Sequence, residues 1–171
     1  MTMAQNAGMT SRWQLPSTPV PTLGRALVVA QFGLLGALLS LPPGDLPWFS
    51  SGWSWLARAA ALLAVALAAS AYRSLRPAFR VRPEPHATAP FIAHGIYRWI
   101  RHPMYSAVLM LAVSMVVHVR SLVAVGVWWL LAAVLLVKSR YEDALWRARA
   151  PEAADYQRRV GRFVPRLRRP L

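Results

Sequence analysis

Four long apolar runs, separated by connections rich in proline, glycine or arginine, restrict what this chain can fold into more than any other feature. The first covers residues 23–41 and is interrupted by Arg25 near its start; the second covers 53–72 and carries Arg58 about one turn inside. The third and fourth, 103–118 and 121–138, meet at a polar turn around Arg120. A helix crosses the hydrocarbon layer with about 20 apolar residues. Helices are favoured there because they satisfy every backbone polar group within the segment. The pattern predicts an all-α, polytopic membrane protein with about four transmembrane helices. The last two runs are short for spans, which predicts a tight C-terminal helical hairpin with little tilt, or a re-entrant one.

The connections sharpen this outline. Residues 1–22 are polar and broken by Pro16, Pro19 and Pro21, without the basic start and apolar core of a signal peptide, and read as a flexible arm with Trp13 near the interface. Residues 23–171 then form one domain. Pro42-Pro43-Gly44 ends the first run, and Pro47-Trp48-Phe49 gives an aromatic loop of interfacial character. Between Arg73 and Arg101 lies a long basic connection broken by Pro77, Pro83, Pro85 and Pro90, extended rather than helical. Beyond Lys138 an arginine-rich, amphipathic tail helix is expected up to Pro151, followed by a basic end at Arg168-Arg169-Pro170-Leu171.

Charge sets the orientation. The net charge of +14 suggests nucleic acid only until its placement is considered. The arginines flank apolar runs, so anionic lipid headgroups are the better partner and no nucleic acid is expected. Most of the basic residues lie in the 73–101 connection and the C-terminal tail, whereas the loop around Asp45 carries none and the turn near His118 carries only Arg120. By the positive-inside rule the N-terminus and both long basic segments face the cytoplasm. One lysine against nineteen arginines, with abundant alanine, points to a GC-rich bacterial genome and hence to an inner membrane. With no cysteine, thiolate chemistry, disulfides and cysteine lipidation of the chain itself are excluded.

Two stretches are chemically dense, and this topology puts them on one side of the membrane. The first is His94-Gly95-Ile96-Tyr97-Arg98-Trp99-Ile100-Arg101-His102-Pro103-Met104-Tyr105. The second begins Lys138-Ser139-Arg140-Tyr141-Glu142-Asp143 and contains two of only six acids. Lys138 and Glu142 are one turn apart on a helix and able to pair, in the manner of an ordinary surface salt bridge. Pro103 suits the first turn of a helix, and the amides of such a start favour an anion. His86, His94, His102 and His118 lack the spacing of a helical two-histidine metal site, so no metal is expected. Met104, Met110, Met115, Trp128 and Trp129 read chiefly as packing within the spans.

Gly95-Ile96-Tyr97 followed by Arg101-His102-Pro103-Met104-Tyr105 resembles the Gly-x-Tyr…Arg-His-Pro-x-Tyr signature of the isoprenylcysteine carboxyl methyltransferase family. Glu142-Asp143, Tyr156, Val160 and Phe163-Val164-Pro165 resemble that family's acidic pair and tail. Tyr141-Glu142-Asp143 is also similar to the Tyr-Glu-Glu of phospholipid methyltransferases. The likeness covers about the C-terminal half. The chain departs from it in lacking the phenylalanine-glycine after the acidic pair and in having aspartate as second acid. A one-residue deletion puts Glu142 in the first acidic position, whereas an ungapped alignment puts Tyr141 there.

The resemblance implies an integral membrane enzyme that uses S-adenosylmethionine, with a cofactor site in residues 94–105 and 138–165. His102 with the helix start at Pro103 and Met104 would hold the cofactor carboxylate, with Tyr105 one turn on. Glu142, with Asp143 beside it, would take the ammonium or ribose hydroxyls, and Tyr97 the adenosine portion. Arg101 and His102 are the candidate catalytic residues, Arg101 to shape the site or orient an anionic acceptor and His102 to serve an acceptor that must lose a proton. The acceptor is lipophilic or membrane-associated: an isoprenylcysteine carboxylate, a phospholipid amine or a small thiol. A non-catalytic membrane protein that binds anionic lipids is the alternative of a different class.

Overall fold

A computed structural model describes residues 20–46, 51–75 and 90–166 of the chain. Trp13 and the arm up to residue 19, the Pro47-Trp48-Phe49 loop, residues 76–89 with most of the basic connection, and the last five residues lie outside the described residues.

Among the described residues the chain is all-helical. It has five helices: α1 (Pro21–Ser40), α2 (Ser54–Leu75), α3 (Pro103–Val119), α4 (Leu122–Arg149) and α5 (Ala153–Arg159). Three of them, α1, α2 and α4, are long and apolar enough to cross a membrane, whereas α3 is apolar but 17 residues long. The fourth apolar run and the tail helix expected beyond Lys138 form one helix, α4, which continues without a break for 28 residues. At 1.5 Å per residue it measures about 42 Å, longer than the roughly 30 Å hydrocarbon core, so its end can leave the bilayer. Nothing between Lys138 and Arg149 interrupts the helix, and Pro151 stops it just beyond Ala150, which caps the end.

Large apolar side chains on the outer faces support the membrane reading: Leu62 is 72% and Val29 71% exposed. Small residues line the inside. Ala64 and Ala71 of α2 are buried, as are Ala107 and Ala112 of α3, which lets these backbones approach closely. Consequently α3 packs chiefly on α2 and α4 chiefly on α1, rather than α3 and α4 forming a self-contained hairpin. The α3–α4 link is tight: Arg120 caps α3 in the left-handed conformation at φ 51°, and Ser121 Oγ accepts from the Val123 amide at 3.2 Å. At this same end Gly44 donates to the Val119 carbonyl at 2.7 Å and Leu46 to that of Arg120 at 3.1 Å. The start of α1, the end of α2, the start of α3 and the second half of α4 gather at the other end. The two chemically dense stretches meet there.

Candidate functional site

The site is assembled by three backbone segments. Gly95 has φ +61°, and a Cβ on it would come within 2.5 Å of Ser74 Oγ, so glycine lets the chain turn against the end of α2. A short 3-10 helix, Gly95–Arg98, follows and buries Tyr97. Beyond it, the main chain pairs with the segment after α5. Arg101 N donates to Gly161 O at 2.8 Å and His102 N to Arg162 O at 3.0 Å. Gly161 is required in turn, because a Cβ there would lie 1.9 Å from the Val164 carbonyl oxygen. Ser106 Oγ donates to Phe163 O at 2.6 Å, and Tyr156 donates its hydroxyl to Tyr97 O at 2.7 Å. The tail thus ties the Arg101-His102-Pro103 stretch to the helix that bears the acids.

Asp143 is the hub. Its Oδ2 accepts from Arg101 Nη1 at 2.8 Å and lies 3.1 Å from Arg162 Nη2, while Oδ1 lies 3.0 Å from His102 Nε2. Gln157 Nε2 donates to its main-chain carbonyl at 2.9 Å. Glu142 is placed differently. Its Oε2 accepts from the Tyr105 hydroxyl at 3.0 Å and stands 3.4 Å from His102 Nδ1. The Glu142 side chain is 26% exposed against 6% for Asp143, so the first acid keeps an open face and the second is enclosed. The imidazole lies between the two carboxylates and stacks parallel on the Tyr105 ring, centroids 5.3 Å apart.

This setting shifts protonation. Burial opposes charge on His102, but hydrogen bonds to Asp143 and Glu142 outweigh it and hold the imidazole above its ordinary value. Burial pulls Arg101 and Arg162 below the usual arginine range, with Asp143 working against the shift. Burial, joined by the negative charge of Glu142, pushes the Tyr97 phenol up, and it stays protonated.

The sequence-derived candidates Tyr97, Arg101, His102, Pro103, Met104, Tyr105, Glu142 and Asp143 therefore come from two stretches to one end of the bundle. The helix start offers less than a bare N-terminus. Pro103 has no amide hydrogen, and the Tyr105 and Ser106 amides both donate to the His102 carbonyl at 3.1 Å, which leaves the Met104 amide. Tyr141, the alternative occupant of the acidic position, is turned towards α1, where its hydroxyl accepts from the Val20 amide at 2.5 Å. Lys138 is 1% exposed; it donates to Gln31 Oε1 of α1 at 2.8 Å and places its ammonium 5.1 Å from the Tyr105 ring centre. His118 lies at the far end of α3. Among the described residues no three histidine or acidic side chains are arranged to hold a metal ion.

Two participants escaped the sequence reading. Arg162 stands one position before Phe163-Val164-Pro165, among the many arginines of the basic tail. Gln31 is a lone amide in an apolar span, and such a residue is a signal because an intramembrane polar group needs a partner.

One orphan bears on cofactor binding: Arg101 Nε is buried without an acceptor. Together with the Met104 amide it is a donor for a carboxylate, while Glu142 offers a negative face and Tyr97 an aromatic one. This donor and acceptor set fits the amino acid and nucleoside parts of S-adenosylmethionine.

Comparison with known proteins agrees with the motifs. No curated protein matches the chain. The model of the isoprenylcysteine carboxyl methyltransferase family matches residues 56–145, more than half of the chain, and takes in α2 as well as the Arg101-His102-Pro103 stretch and both acids. The chain belongs to the isoprenylcysteine carboxyl methyltransferase family.

Proposed function

We propose that this chain transfers the methyl group of S-adenosylmethionine to a carboxylate on a lipophilic acceptor of the isoprenylcysteine type. Methyltransferases of the family use S-adenosylmethionine and act on such acceptors. The observation that carries the reading is the division of labour within the acidic pair. Asp143 is neutralised by its own chain, whereas Glu142 is oriented by Tyr105 and His102 with one face open.

In this reading Glu142 holds the ammonium or ribose hydroxyls, and Met104 N–H and Arg101 Nε serve the cofactor carboxylate. Tyr97 contacts the adenosine. When bound, the cofactor supplies an electrophilic methyl on a sulfonium. The protein's task is then to position the acceptor in line and exclude water. A carboxylate acceptor is already a nucleophile and needs no base. That agrees with His102, whose two nitrogens both face carboxylates and whose raised proton affinity favours the imidazolium. An amine acceptor would need a free base. Arg101 and His102 thus shape the site, and Arg101 adds a positive charge for an anionic acceptor.

Residues 23–171 form one methyltransferase domain in this proposal. Helix α3, about 25 Å long, serves as a fourth, weakly tilted span. The basic segments and the site face the cytoplasm of a bacterial inner membrane.

A methyl-transfer assay with labelled cofactor on prenylated cysteines, phospholipid amines and small thiols tests this. A base-labile ester on the prenylcysteine, lost in Glu142→Gln, is expected. Base-stable label would overturn the acceptor class. Absence of S-adenosylmethionine binding in detergent would overturn the enzyme and favour lipid binding.

A further inference from the structure

A cavity stands at the opposite end of the bundle from His102. Helices α1 and α2 flank α3 without comparable packing on each other, and this cavity, of about 760 Å³, opens between the end of α1, the start of α2 and the end of α3. Leu38, Leu39, Ala61 and Met115 give it apolar walls, and Arg58 and Arg120 add two positive charges to its lining. Arg58 lies one turn inside α2, and among the described residues its guanidinium has no hydrogen-bond or ion-pair partner. A cation one turn inside a span can reach the headgroup level, where a lipid phosphate is a natural counter-charge. The cavity itself contains no acidic side chain.

We propose that this groove binds one anionic phospholipid of the leaflet opposite the methyl-transfer site, with the phosphate on Arg58 and Arg120 and an acyl chain between α1 and α2. Three properties match this occupant: the volume falls in the range of ligand pockets, the walls suit a hydrocarbon chain, and the cations sit near the helix ends, where a headgroup lies. The bound lipid fills the gap left between α1 and α2, which make little direct contact, and supplies a counter-charge for Arg58.

The test uses the full chain reconstituted in nanodiscs of equal phosphatidylglycerol and phosphatidylcholine, then native mass spectrometry of the lipid retained on release. Wild type is expected to keep phosphatidylglycerol in preference to phosphatidylcholine. Arg58→Gln should lower that retention about fivefold, the effect of one arginine near an anionic surface. Ala61→Phe, which fills the groove but keeps every charge, should lower it as well. Both variants are compared at wild-type helicity; if Arg58→Gln does not fold, Ala61→Phe decides alone. Unchanged retention in either folded variant, or equal retention of the two lipids by wild type, overturns the proposal.

Discussion

The carboxylate of Asp143 and the imidazole of His102 lie 3.0 Å apart, although 41 positions separate the residues in the chain. Around this contact Arg101 and Arg162 complete a largely buried cluster of ion pairs on Asp143, and Glu142 is left with one face open. The arrangement gives the two acids different surroundings: Asp143 organises the segments, and Glu142 keeps an open face.

Asp143→Asn keeps the shape of the side chain but leaves the buried Arg101 guanidinium without its counter-charge. Breaking a buried pair in this way costs about 3 kcal/mol or more. The thermal unfolding midpoint in detergent should fall by several degrees, and methyl transfer should fall with it.

Glu142→Gln should behave in the opposite sense. The side chain is partly exposed and can still accept from Tyr105, so the unfolding midpoint should change little. S-adenosylmethionine affinity should fall at least about tenfold, the scale of a charge-assisted hydrogen bond. Isothermal titration of the purified variant checks the affinity, and thermal unfolding in detergent checks the midpoint.

The pH dependence follows from His102, whose proton affinity is raised in the fold above the ordinary 6.5. A raised value means that the folded state binds the proton more tightly than the unfolded state. The contribution to stability is then complete below about pH 6.5 and disappears as the pH rises through the folded value. Unfolding midpoints should decline over that interval in wild type and lose this slope in His102→Gln.

Gly161→Ala tests the tail. The added methyl would meet the Val164 carbonyl, forcing apart the segment that accepts from the Arg101 and His102 amides. Stability should drop by about 1–3 kcal/mol. The same variant should bind S-adenosylmethionine more weakly, because Arg162 and Phe163 move away from Asp143 and His102. Wild-type affinity in this variant would show that the tail does not support the site.

Much of the molecule was legible from its pattern. Apolar runs report helices directly, since the bilayer leaves a spanning backbone few alternatives. The start of α3 at Pro103 and the break near Pro151 follow from the missing proline amide, whereas α1 begins at Pro21, two residues before the apolar run. That the last span and the tail helix are one continuous α4 was less legible, because hydropathy falls at Lys138 while helix propensity does not. Arg162 was hidden because its meaning depends on Gly161 bringing a distant segment alongside Ile100.

Residue order alone determined that the chain is helical, with runs apolar enough to cross a membrane, and that its two chemically dense stretches share one end. Periodicity, charge asymmetry and motif spacing are local properties and can be read without coordinates. Only the tertiary structure decided which acid is enclosed and which is open. Glu142 and Asp143 are neighbours of like charge, and no rule of spacing distinguishes them. Their different roles arise from what α3 and the tail bring to each: Tyr105 and one edge of His102 to Glu142, and two arginines with the other edge of His102 to Asp143.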